Sequence, residues 1–230
     1  DPVRLASRAL LHALERRGIR VGDSVRIAWE KGEEVGGGIC TTGQECPGAP
    51  RVAGTTSPPM AEIVKGILEP SQNWMTEQLV RTLGQELGDE GSWAEGFRVE
   101  REFFTQEVGV DSLDLVLRDG SVISAKNLVT PRAIVRILDY MRNSPNSGIL
   151  RDALASPGEE DSTLENRLTV LGSRVFAKTG TITHVNSLSG YVFTDSGREL
   201  IFSILTNGSG LPSGPVRAAI DQIVEAVARH

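Results

Sequence analysis

The chain has 230 residues, 39% of them hydrophobic and 23% charged, so a wholly disordered or fibrous chain is excluded. Thirty acidic residues against 24 Lys and Arg give a net charge of −6, which argues against nucleic acid or a polybasic membrane contact. No apolar run approaches the roughly 18–20 residues of a spanning helix, and the opening Asp1-Pro2-Val3-Arg4 is not a secretory signal.

In chain order, Pro2 to Arg17 predicts a helix with Leu10, Ala13 and Leu14 on one face and Gly18 as its stop. Gly36 to Thr56 is rich in Gly, Thr and Pro and reads as a loop. It contains both cysteines, Cys40 and Cys46, as two free thiols or as a short-loop disulfide; a bond would imply an oxidising compartment. Ser57 then caps a helix with Pro58 and Pro59 in its first turn and Met60, Ile63, Val64, Ile67 and Leu68 as its stripe, ended by Pro70. A second helix is expected from Asn73 to Leu83, stopped by Gly84. Ser92-Trp93-Ala94-Glu95 is a capping box opening another, with Phe97, Phe104 and Val108 as its stripe.

Leu113, Leu115 and Leu117 alternate as in a strand, and Asp119-Gly120 marks a turn. Thr130-Pro131 starts a helix with Ile134, Ile137, Leu138 and Met141 inward. Gly148 to Gly172 reads as irregular. Arg174 to Thr181 is a strand, and Leu188 to Thr194 and Arg198 to Asn207 form a hairpin about Asp195-Ser196-Gly197. Pro215 to Arg229 closes the chain as a helix with Val216, Ala219, Ile220, Ile223 and Val227 facing in. A helical middle followed by an antiparallel sheet and a helix is an α+β arrangement.

Two short motifs carry chemistry. Ser71-Gln72-Asn73 falls at the Pro-marked break between two helices, where a hydroxyl and a carboxamide either cap the next helix or face a cleft. Lys178-Thr179-Gly180-Thr181 lies on a strand. There the Lys is either solvated at an edge beside a bulge glycine, or a fixed cation for a carboxylate, with Thr179 beside it. In the second reading Gly180 admits a substrate backbone and the Thr181 N–H serves an oxyanion. The three histidines, His12, His184 and His230, are scattered and suggest neither a metal site nor a Ser-His-Asp triad.

In this order the two motifs resemble the second and third motifs of the penicillin-recognising serine enzymes. The flanking residues resemble the class C low-molecular-mass penicillin-binding proteins, the D-alanyl-D-alanine carboxypeptidase/endopeptidase family. Those residues are Ser57 to Val64, Glu77 through Arg81-Thr82-Leu83-Gly84, Asp119 to Pro131, and Ser189-Gly190-Tyr191-Val192. Val122 stands where the family has Gly, and Asp161-Ser162-Thr163 where it tends to have D-G-T. The family's nucleophile motif, S-x-x-K, is missing: no Ser here has Lys three positions later.

The resemblance implies a penicillin-binding-protein/β-lactamase-like fold and acyl transfer on peptidoglycan stem peptides, without metal or organic cofactor. It gives Ser71 a proton-relay role and Asn73 the substrate amide. It gives Lys178 and Thr179 the terminal carboxylate, Gly180 the close approach, and the Thr181 N–H the oxyanion. It implies that the chain is the C-terminal part of a longer enzyme. The partners expected are an N-terminal part carrying S-x-x-K, the stem peptide and β-lactams, in an extracytoplasmic location. Residues 1–56 would end an inserted domain, 57–172 form the helical part and 173–230 the sheet and last helix. A non-catalytic peptidoglycan binder and an esterase or β-lactamase-like hydrolase are the alternatives.

Overall fold

A computed structural model describes residues 2–20, 56–121 and 123–230. Nearly all of the Gly36–Thr56 loop, with Cys40 and Cys46, lies outside them. The chain divides into two compact units, Asp1–Ser57 and Pro58–His230.

In the first unit, α1 spans Pro2–Arg16. Gly18 (φ 75°) closes it: its N–H bonds Glu15 O at 2.9 Å, and the Ile19 N–H bonds Leu14 O at 3.0 Å. That pair of bonds is a Schellman closure with glycine at its left-handed position. Among the residues of α1 whose exposure is described, Leu11 and Leu14 are half-buried, and Leu10 and Ala13 are exposed.

In the second unit, α2 (Met60–Leu68) begins after the prolines rather than at Ser57. A residue before proline is driven out of the helical region, so Ser57 and Pro58 stay outside the helix. Pro59 (ψ 150°) is the cap residue, with no side-chain cap. Helix α2 ends as α1 does, with the Gln72 N–H bonding Ile67 O at 2.8 Å. The residue in the left-handed position is now Ser71, at φ 62°.

Helix α3 (Asn73–Leu87) runs through Gly84, which does not stop it. Gly84 is buried where α4 (Trp93–Glu102) crosses. A Cβ on Gly84 would come within 2.8 Å of Gly96 N, and one on Gly96 within 2.1 Å of Val80 O. The two glycines let the backbones touch, so Gly84 is a packing residue whose helix cost is repaid by the crossing. Ser92 caps α4 as expected, accepting from Glu95 N at 3.2 Å. The Glu95 carboxylate accepts from Asp89 N instead of reaching back to Ser92.

The strand expected at Leu113–Leu117 shrinks to β1 (Leu115–Val116), paired with β2 (Leu128–Val129), with a single 3₁₀ turn ahead of it. Leu113 is 89% exposed, so its place in the alternation carried no packing information. Helix α5 (Pro131–Arg142) is capped by Thr130 Oγ1, which accepts from Ala133 N at 3.1 Å. Part of the segment expected to be irregular folds as α6 (Ser147–Ala153).

The main sheet is antiparallel, in the order β3 (Val175–Ile182), β4 (Val185–Phe193), β5 (Glu199–Asn207). On one face, Val175, Ala177, Leu188 and Val192 pack against Val216, Ile220, Val224 and Ala228 of α7 (Ser213–Ala228). The buried stripe of α7 therefore repeats every four residues; Ala219 and Ile223, expected to face in, are exposed. The other face carries Phe176, Lys178 and Tyr191, packed towards α2, α5 and α6 through Leu68, Leu138, Ile134 and Leu150. Tyr191 OH donates to Leu138 O at 2.8 Å and ties sheet to helix.

Two stability results are expected in urea titrations of the full-length protein. Gly96→Ala costs about 1–3 kcal/mol, because the added methyl drives the α3–α4 crossing apart. Ser71→Gly is more stable than Ser71→Ala by about 1 kcal/mol, because only the glycine relieves the left-handed backbone.

Candidate active site at the free edge of the sheet

Strand β3 presents two kinds of group. Its even-numbered side chains share a face with Tyr191 and Ser189, and Lys178 stands among them opposite Ser189. The backbone groups of its odd-numbered residues point away from β4. Ala177 N–H donates to Ala155 O at 2.9 Å, and Val175 O accepts from Ser156 Oγ at 3.2 Å, so residues 155–156 cover the first half of this edge. N–H and C=O of one strand residue point to the same side, so those of Thr179 and Thr181 follow on the same edge. Among the described residues, their only hydrogen bond there is from the Lys178 side chain to Thr179 O.

Lys178 Nζ donates to Ser71 Oγ at 2.8 Å and to Thr179 O at 2.8 Å. Residues 107 positions apart thereby meet at the strand edge. Burial pushes the Lys178 ammonium down to about 8. It forms no ion pair among the described residues, so its charge is held by two neutral oxygens alone. The left-handed backbone of Ser71 is part of this geometry: the chain reverses there between α2 and α3, and the hydroxyl meets the strand.

Neither Ser71 nor Asn73 caps α3. Gln72 does, its Oε1 accepting from Trp74 N at 3.1 Å. Asn73 is the first residue of α3, exposed, and its side chain makes no hydrogen bond among the described residues. The chain thus separates capping from the two neighbouring groups, leaving hydroxyl and carboxamide unspent by the helix end. The choice among three polar residues at one cap was not readable from the tripeptide.

Thr179 lies at the edge, half-buried, and Thr181 is exposed. A Cβ on Gly180 would come 2.4 Å from Ser187 Oγ on β4, a contact that a turn of the serine side chain relieves. A surface cavity of about 410 Å³ lined by Val108, Arg136, Tyr140 and Pro145 includes none of these residues. Among the described residues, the backbone groups of Thr179 and Thr181 leave this part of the β3 edge open. No cluster of His, Cys, Asp and Glu suited to a metal occurs among the described residues.

Known proteins resemble this chain in sequence and in fold. The chain is 36% identical over 230 residues to a D-alanyl-D-alanine carboxypeptidase of Actinomadura sp. (strain R39), covering 97% of this chain and 40% of that protein. It therefore spans about two fifths of that relative's length. Penicillin-binding protein 4 of Haemophilus influenzae superposes with a TM-score of 0.66 at 22% identity, over 75% of this chain and 40% of that one. A class A β-lactamase of Bacteroides cellulosilyticus does so with a TM-score of 0.55 at 19% identity, over 74% of this chain and 62% of that one. Both share the fold, helices with an antiparallel sheet. The model of the D-Ala-D-Ala carboxypeptidase 3 (S13) family matches residues 1–230, and the chain belongs to that family.

Proposed function

We propose that this chain forms part of a serine D-alanyl-D-alanine carboxypeptidase or endopeptidase acting on peptidoglycan stem peptides outside the cytoplasm. It supplies the proton relay and the carboxylate site, and an N-terminal part supplies the S-x-x-K nucleophile. The observation that carries the reading is the Lys178–Ser71 hydrogen bond, at the half of the β3 edge that no described residue covers. A peptide can add to that edge through the backbone groups of Thr179 and Thr181, as strands add to open sheets. Its terminal carboxylate then meets Lys178 and the Thr179 hydroxyl, a pairing stronger than one between neutral groups.

The nucleophilic serine, its proton taken by the lysine of S-x-x-K, attacks the penultimate carbonyl, and the Thr181 N–H takes part of the developing oxyanion charge. Ser71, hydrogen-bonded to a cation, passes a proton to the departing D-alanine nitrogen. Asn73 holds the substrate amide, and water releases the acyl group. β-Lactams would acylate the same serine. No cofactor enters the scheme. Membership of the S13 family supports this reading. So does β5: its outer edge has no partner among the described residues, and eight of its nine residues are only half-buried, as a strand awaiting a further neighbour would be. In this reading residues 1–56 are the end of an inserted domain, and 57–172 and 173–230 are parts of one catalytic domain.

Labelled penicillin tests the assignment on the full-length protein. Covalent label on a serine of an S-x-x-K motif, with D-alanine released from stem peptide, is expected. Reversible muropeptide binding without acylation would make the protein a non-catalytic binder. Turnover of β-lactam or ester without D-alanine release would make it a hydrolase of another kind.

Ser71→Ala is expected to lower kcat by about 10²–10⁴, the range for a positioned proton-transfer group. The charged form of Lys178 is lost as pH rises through about 8. Accordingly kcat/KM for a peptide with a free C-terminal carboxylate falls above that pH, roughly tenfold per unit.

A further inference from the structure

Glu77 lies one helical turn after Asn73 on α3, and its carboxylate joins three segments. Oε1 accepts from the backbone N–H of Ser121 at 2.9 Å and from its Oγ at 2.6 Å, in the loop between β1 and β2. Oε2 accepts from the indole Nε1 of Trp93 at 3.0 Å, at the start of α4. The loop is pressed onto α3 at this point: a Cβ on Gly120 would come 2.6 Å from Val80 Cγ2 and 3.2 Å from Thr76 O. It is also braced from within. Asp119 accepts from Ser124 N and Asn127 Nδ2, and Asn127 Oδ1 accepts from Arg118 N.

We infer that Glu77 is a positioning residue: by clasping Ser121 and Trp93 it fixes the first turn of α3, and with it the Asn73 carboxamide, against the β1–β2 loop. The inference rests on the reading of Asn73 as a substrate contact.

Glu77 is not a solvated helix carboxylate, nor half of an ion pair. Among the described residues no cation lies within salt-bridge distance of it. Arg81, the next turn along α3, donates to Gly91 O and lies over the Trp93 ring. Burial alone would raise the Glu77 carboxyl, but the bonds from Ser121, Gly120 and Trp93 outweigh it and bring it below the usual range. Glu100 of α4 faces the same carboxylate; burial and then repulsion from Glu77 push it up to about 7. Of the two acids Glu77 therefore holds the charge, steadied by directed donors. Such an arrangement fixes geometry, because each bond is lost if the helix turn shifts.

A donor conflict tests the role in the full-length protein. Glu77→Gln keeps an oxygen for Ser121 but turns an N–H₂ towards the indole N–H. Adding Trp93→Phe removes the opposing donor. Misplacing a substrate-positioning group by about 1 Å can cost up to about 10² in rate. E77Q is therefore expected to lower the benzylpenicillin acylation rate constant, per folded molecule, about tenfold. The noncovalent Kd stays within about twofold, and E77Q/W93F returns to within about threefold of W93F. An unchanged acylation rate in E77Q overturns the inference. So does a loss of equal size in E77Q and E77Q/W93F that follows the melting temperature, since that marks a purely structural role. If the wild-type protein is not acylated, the enzymatic reading fails by itself. The same comparison is then made on the Kd for a D-alanyl-D-alanine peptide, by calorimetry: weakening in E77Q with rescue in the double variant supports the clasp, and no change overturns it.

Discussion

An ammonium group taken out of water with no carboxylate beside it among the described residues is the constraint around which this site is arranged. Lys178 is half-buried on β3, and its charge rests on one hydroxyl and one carbonyl. Neutral acceptors offset only part of the desolvation cost, and burial accordingly lowers the affinity of this amine for its proton. A cation so placed is short of an anion. The site gains most when an incoming carboxylate completes its coordination, and under the proposed function that carboxylate is the end of the substrate.

The demands on the surrounding backbone follow from this. Ser71 must bring its hydroxyl to the strand while the chain reverses, and it does so in a left-handed conformation that serine adopts at a cost of about 1–2 kcal/mol. The closure of α1 shows the unstrained version of the same turn, with Gly18 in that place. A glycine after α2 would be the better turn residue and would have no hydroxyl to offer. Ser71 shares positive φ with Asp161, Leu168 and His184, and differs from them in that its side chain meets the Lys178 ammonium. The remaining elements hold this reversal steady: Gln72 caps α3, Gly84 and Gly96 bring α3 and α4 into backbone contact, and Glu77 gathers the β1–β2 loop to the same helix.

Much of the architecture could be read residue by residue. The hairpin of β4 and β5 declared itself by two β-rich arms about Asp195-Ser196-Gly197, and α5 by Thr130-Pro131 and its apolar stripe. Three of the errors share one cause, the inference of packing from a local pattern. Gly84 looked like a stop because glycine weakens helices, yet a close neighbouring backbone makes glycine the residue required. Leu113 extended an alternation without burying anything. The face of α7 turned away from Ala219 and Ile223 because the sheet beneath selects Val224 and Ala228, and Ile223 is apolar enough to have read either way.

The sequence by itself determined which groups were present and in what order: a hydroxyl and a carboxamide at a helix break, a lysine followed by Thr-Gly-Thr on a strand, and the family to which those motifs belong. Side-chain chemistry and local turn preferences are properties of a few adjacent residues and can be read from them. Only the tertiary structure decided that Lys178 reaches Ser71, that Gln72 takes the cap, and that Glu77 binds a loop 44 positions away. Each depends on which faces of α2, α3 and the sheet are pressed together, and burial settles that over the whole fold at once.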